Sequence, residues 1–120
     1  MWLYTRDGFY SVVYDDYCSD GELMIRARVI DDLERLLKKL QIDDADILVI
    51  RNADYRYRLK LSAGQWATYV AQEAASIDYD NFKNTVARDA NERSTAYMKC
   101  WEAMYLFQEA QAQFNHWDDD

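Results

Sequence analysis

Proline is absent from this 120-residue chain, and glycine occurs three times. So few chain breakers exclude long linkers and collagen-like repeats, and favour continuous helices and strands over a loop-rich fold. Cysteine occurs twice, too rarely for a disulfide scaffold. No CxxC is present; Cys18 falls in a polar hairpin loop, whereas Cys100 lies on an apolar helical stripe and reads as a buried thiol. The lone histidine, His116, can form no histidine cluster, so neither a metal site nor a cofactor is expected. Walker, GxGxxG, HExxH, GxSxG and EF-hand patterns are all missing, and no catalytic residue is assigned. A non-enzymatic protein is expected, with a small enzyme as the alternative.

Basic side chains number 14 against 22 acidic, a formal charge of −8. That balance disfavours non-specific binding to DNA or RNA, which phosphate neutralisation drives. A local basic face can still exist inside an acidic whole. No stretch approaches the ~20 apolar residues that span a bilayer, and the start lacks a basic segment followed by an apolar run. A cytoplasmic location without a membrane partner is therefore expected.

What is abundant is aromatic: four Trp, ten Tyr and four Phe, in a chain 50% hydrophobic. Length and composition suit one domain, 1–117, with an acidic tail at 118–120. Residues 1–5 and 9–15 read as strands around a turn at Asp7-Gly8. Residues 22–29 alternate, with Leu23, Ile25, Ala27 and Val29 opposite Arg26 and Arg28. A helix at 32–40 is expected, capped by Asp31 with Glu34 three residues on, and buried through Leu33, Leu36, Leu37 and Leu40. Ile47 to Ile50 reads as a short, well-covered strand. Residues 55–61 alternate without a break: Tyr55, Tyr57, Leu59 and Leu61 against Arg56, Arg58 and Lys60. Ser62 and Gln65 form a capping-box pair for a helix ending near Ser76, with Trp66, Tyr69 or Val70, Ala74 and Ile77 inward. Asp78 or Asp80 can cap a shorter helix through Phe82 and Val86. The last helix, 92–115, carries Tyr97, Cys100, Met104, Phe107, Gln111 and Phe114 at alternating three- and four-residue steps, widened by Trp101 and Tyr105. The expected fold is α+β: an antiparallel sheet of four or five strands, helices packed on one face, and a long C-terminal helix. A split-βαβ arrangement is the nearest rival.

If the two alternating strands share a sheet, Arg26, Arg28, Arg56, Arg58 and Lys60 gather on one face. Such a face serves as a solvated side paired with the chain's surplus carboxylates, as a grip on an acidic protein, or as a seat for single-stranded nucleic acid or an anionic ligand. The aromatic excess fits an aromatic-rich core or a homodimer through the C-terminal helix. Met1-Trp2-Leu3-Tyr4-Thr5 with Gly8-Phe9-Tyr10-Ser11-Val12-Val13, Arg26-Ala27-Arg28, Ala53-Asp54-Tyr55-Arg56-Tyr57-Arg58 and Ile77-Asp78-Tyr79-Asp80-Asn81-Phe82-Lys83 together resemble a small family of uncharacterised bacterial proteins. The resemblance implies no activity or ligand. It draws attention to Asn81 and Lys83, which either join a site with the arginine face or tie the 78–83 turn in place. The function expected is that of a small acidic, non-enzymatic protein-binding module, an inhibitor or regulator of a macromolecular partner. A protein partner is favoured over nucleic acid.

Overall fold

The computed structural model describes residues 1–89 and 91–114. The tail at 118–120 and His116 lie outside the described residues. Two compact units divide the chain, Met1–Asp78 and Tyr79–Asp120.

The first unit is a five-stranded antiparallel sheet carrying two helices. Its strands are β1 (Trp2–Tyr4), β2 (Phe9–Val13), β3 (Glu22–Ala27), β4 (Leu48–Val49) and β5 (Tyr57–Ser62), in the spatial order β1-β2-β3-β5-β4. The helices are α1 (Ile30–Leu40) and α2 (Ala63–Ala75). One sheet face supplies Tyr10, Val12, Ile25, Ala27, Leu59 and Leu61 to the core. Leu33, Leu36 and Leu37 of α1 and Trp66 and Tyr69 of α2 close it from above. The two-residue period thus turns Ile25 opposite Leu59 and Leu23 opposite Leu61 inward, while Met24 opposite Val13 falls on the other face. Tyr10 meets Trp66 and Tyr69 edge-on, at 5.9 and 5.7 Å between ring centroids. Each such pair adds about 0.5–1.5 kcal/mol beyond the area it buries.

Helix α2 starts as its sequence dictates. The Ser62 hydroxyl accepts from Gln65 N at 3.0 Å, and Gln65 Oε1 accepts from Ser62 N at 2.8 Å. Ser62→Ala should therefore lower stability by about 1 kcal/mol, read as a shifted urea midpoint at an unchanged slope. Ala74 and Ile77, expected inward, are exposed.

Helix α1 departs from expectation at its start. It begins at Ile30 behind Val29, which offers no side-chain cap, so neither Asp31 nor a box with Glu34 closes this end. Its C-terminus is closed by Gln41 in the left-handed region (φ 58), whose N–H reaches the carbonyls of Leu37 and Lys38. β4 is also different. Leu48, Val49 and Ile50 are exposed, because this strand forms the rim of the sheet and pairs only with β5.

In the second unit α3 (Phe82–Asp89) packs on α4 (Asn91–Phe114). Phe82 stacks on Tyr97 at 5.7 Å, with Thr85, Val86 and Tyr97 buried. Asn81, rather than Asp78 or Asp80, caps α3: its Oδ1 accepts from Asn84 N at 3.1 Å. Neither Cys18 nor Cys100 forms a disulfide, and Cys100 is half-buried.

Candidate functional site

The outer face of the sheet collects what the core face rejects. Register sets Trp2 against Ser11 and Tyr4 against Phe9. It sets Ser11 against Arg26, Arg26 against Arg58, and Met24 against Lys60. Arg26, Arg58 and Lys60 therefore share this face, and Arg28 follows Arg26 by one period. Arg56 is exposed just before β5.

Tyr55 does not obey the alternation that put it with Tyr57 and Leu59. β5 begins only at Tyr57, and the preceding turn folds the Tyr55 ring onto the outer face. There it is buried between two guanidinium groups, Arg26 at 4.6 Å and Arg28 at 4.3 Å from its centroid. Cation–π contacts of this kind contribute about 0.5–1 kcal/mol at exposed sites and more when desolvated. They offset the repulsion between Arg26 and Arg58 in directly opposed positions.

Neutral acceptors hold these arginines. Arg26 donates to Ser11 Oγ at 2.6 Å and to Ser11 O at 3.4 Å. Arg28 donates to Asp54 O at 2.8 Å, and Arg58 to Tyr55 O at 3.2 Å. The nearest carboxylate is that of Asp54, 3.8 Å from Arg58 and largely exposed. Lys60 lies toward the other end of the face. It helps to depress the Glu22 carboxyl, which the backbone N–H of Ser19 already holds below the usual range. Arginine does not exchange its proton near neutral pH. The guanidinium groups of Arg26, Arg28 and Arg58 thus gather positive charge at one end of this face.

An aromatic row adjoins the cations. Tyr4 stacks on Phe9 at 4.5 Å, Trp2 meets Phe9 edge-on at 5.9 Å, and Phe9 lies 6.3 Å from Tyr55. Trp2 is 67% exposed. Asn81 and Lys83 belong to the second unit. Asn81 is occupied as the α3 cap, and the Lys83 ammonium sits over Trp101 at 4.6 Å.

A buried polar cluster was not read from the sequence. The Thr5 hydroxyl accepts from Asp7 N and Gly8 N, closing the β1–β2 turn. Tyr69 donates its OH to Asp7 Oδ2 at 2.8 Å, which Lys39 also reaches at 2.9 Å. Lys39 pairs in turn with Glu73 at 2.7 Å. Asp32 accepts from Phe9 N at 3.1 Å and from Arg35 at 2.8 Å, and Arg35 donates to Asp7 O. The cluster ties the hairpin to both helices. Its one visible signal is the line Asp32, Arg35, Lys39, spaced three and four apart along one helical edge.

Helix α4 presents a second surface. Tyr97 is buried, yet Trp101, Met104, Tyr105, Leu106 and Phe107 are 45–65% exposed. Trp101 stacks on Tyr105 at 5.4 Å. With Met104, Phe107, Gln108 and Gln111 they line a shallow hollow of about 450 Å³. Among the described residues no helix is long and apolar enough to cross a membrane, and no group of three or more His, Cys, Asp or Glu could hold a metal ion. Comparison of the chain with protein-family models, with curated proteins and with solved structures yields no match.

Proposed function

We propose that this chain is a small protein-binding module that works through α4 and pairs first with a second copy of itself. The observation that carries this reading is the exposed apolar surface formed by Trp101, Met104, Tyr105 and Phe107 around one hollow. Monomeric proteins rarely leave large contiguous apolar patches in water, and patches of this kind mark interaction sites.

The charge pattern favours a second copy as the occupant. Tyr97, Cys100, Met104, Phe107 and Gln111 keep the three–four spacing of a helix–helix seam. Trp101, Ala103, Gln108 and Ala110 flank it, and none carries charge. Glu102 and Glu109 fall on the opposite side of the helix. A chain of net charge −8 repels its own copy over most of its surface, but this seam brings no like charges together. α3 covers the N-terminal part around Tyr97, leaving the stretch beyond Trp101 for the partner. Isologous pairing through one helix is the commonest way to close such a face. A cytoplasmic setting and a regulatory role fit a module of this kind.

Sedimentation of the intact protein tests the reading. The wild type should show a mass approaching twice 14.3 kDa as its concentration rises. Met104→Glu with Phe107→Glu, both at exposed positions, should stay monomeric with an unchanged circular dichroism spectrum. A wild type that remains monomeric at every concentration would refute self-pairing.

A further inference from the structure

We propose that the outer face of the sheet binds a single strand of nucleic acid, with Arg26, Arg28 and Arg58 on its phosphates and Trp2, backed by the Tyr4–Phe9 stack, against a base. The inference is independent of α4, since every residue it uses lies in the first unit.

Three guanidinium groups converge on the two-residue segment Asp54–Tyr55. They are positioned by carbonyl oxygens, a hydroxyl and a ring, none of which cancels their charge. Asp54, at 3.8 Å and 71% exposed, is the one carboxylate within ion-pair reach of any of them among the described residues. Like charges held this close favour an anion, and a guanidinium fork matches the paired oxygens of a phosphate. The arginines are also preorganised, so a ligand need not order them. That lowers the entropy cost of binding.

The aromatic row decides between a nucleic acid and an acidic protein segment. A carboxylate-rich peptide needs the cations alone. A nucleic-acid strand also needs an exposed ring at a fixed offset from the cations, and Trp2, 67% exposed beside the Tyr4–Phe9 stack, supplies one. Trp2 and Tyr4 stand on β1 and Phe9 on β2, while Arg26 is on β3. With Arg58 on β5, cations and rings are separated by one to three strand spacings, about 5–15 Å. Flat sheet faces that combine stacking rings with basic side chains recognise unpaired bases, whereas a duplex hides its bases inside grooves that a flat sheet cannot enter. The net charge of −8 limits the contact to the few phosphates that the cluster can reach.

Fluorescence anisotropy of labelled single strands of about ten thymidines, or of as many uridines, tests the proposal on the intact protein. Binding should weaken with salt at a log–log slope of about −2, the value for roughly three phosphates released from counterions. Arg28→Gln with Arg58→Gln should weaken it by about 100-fold, and Trp2→Ala by about 10-fold, the range for losing one stacked base. Trp2 and Arg28 are both exposed, so Trp2→Ala and Arg28→Gln alone keep the test valid if the double variant misfolds. No binding at low salt would overturn the proposal, as would binding that survives these substitutions. Preference for a glutamate-rich peptide over either strand would assign the face to an acidic protein instead. Either sugar binding through these residues supports it, and the ratio of the two affinities reports whether a 2′-hydroxyl is read.

Discussion

Adding one methyl group at Gly8 is expected to cost about 3 kcal/mol of stability, a large part of the roughly 5–15 kcal/mol that holds a typical domain folded. A Cβ there would lie 2.6 Å from Asp32 Cβ and 2.7 Å from its Oδ2. Asp32 has nowhere to go. Its Oδ2 accepts from Phe9 N, its Oδ1 from Arg35, and its backbone carbonyl from the Tyr10 hydroxyl at 2.7 Å. Overpacking alone costs about 1–3 kcal/mol, and a buried acceptor pulled from its donors about 1–3 more. Gly21 gives the contrast. It adopts φ +81 with nothing within 4 Å of an added Cβ, so Gly21→Ala should show only the left-handed strain of about 1–2 kcal/mol. Urea midpoints of the two variants settle the matter. Gly8→Ala behaving like wild type, or proving milder than Gly21→Ala, would mean that Asp32 is not fixed as described.

The second large effect should emerge at alkaline pH. Tyr10 and Tyr69 are wholly buried, and that burial is the main force driving both phenols far above their usual value near 10. The folded protein therefore keeps two protons that the unfolded chain releases. Stability from these groups is complete below about pH 10 and is lost as pH climbs beyond it. The loss is about 1.4 kcal/mol per pH unit for each phenol, or about 3 kcal/mol per unit for the pair. Lys39 works in the same direction. Desolvation lowers its pKa, but its bonds to Glu73 and Asp7 outweigh that and raise it. Urea unfolding at a series of alkaline pH values should trace this fall, and Tyr69→Phe should remove about half of its slope. A stability that stays level well above pH 10, or a slope untouched by Tyr69→Phe, would show that these hydroxyls are not sealed from water.

Much of this could be read from the chain itself, for reasons that differ between elements. The strands at 22–27 and 57–62 were legible because strict alternation leaves only one face that can be buried. The start of α2 was legible because Ser62 and Gln65 satisfy each other locally. The arginines of β3 and β5 fall on one face for the same reason that their leucines fall on the other. Tyr55 was misplaced because alternation holds only while the chain remains a strand, and here a turn intervenes. Asp31 and Glu34 have the spacing of a cap but do not form one, since the helix already begins at Ile30 and Asp31 lies inside its first turn. Asp32 beside it is bonded to Phe9 N and Arg35, contacts that no local pattern encodes. The apolar run 47–50 looked covered because hydrophobicity reports the tendency to be buried, whereas rim position is set by strand order.

That rim has a bearing on how the protein survives at high concentration. β4 offers a further chain an unpaired backbone edge beside Leu48, Val49 and Ile50, the kind of template from which fibrils grow. Two features oppose such growth. The strand is only two residues long, and Asp43, Asp44 and Asp46 stand directly before it. Those three aspartates are exposed and make no hydrogen bond or ion pair among the described residues. Stacked in register along a fibril they would repel one another at every layer, so they act as gatekeepers in a competition that the native fold never displays.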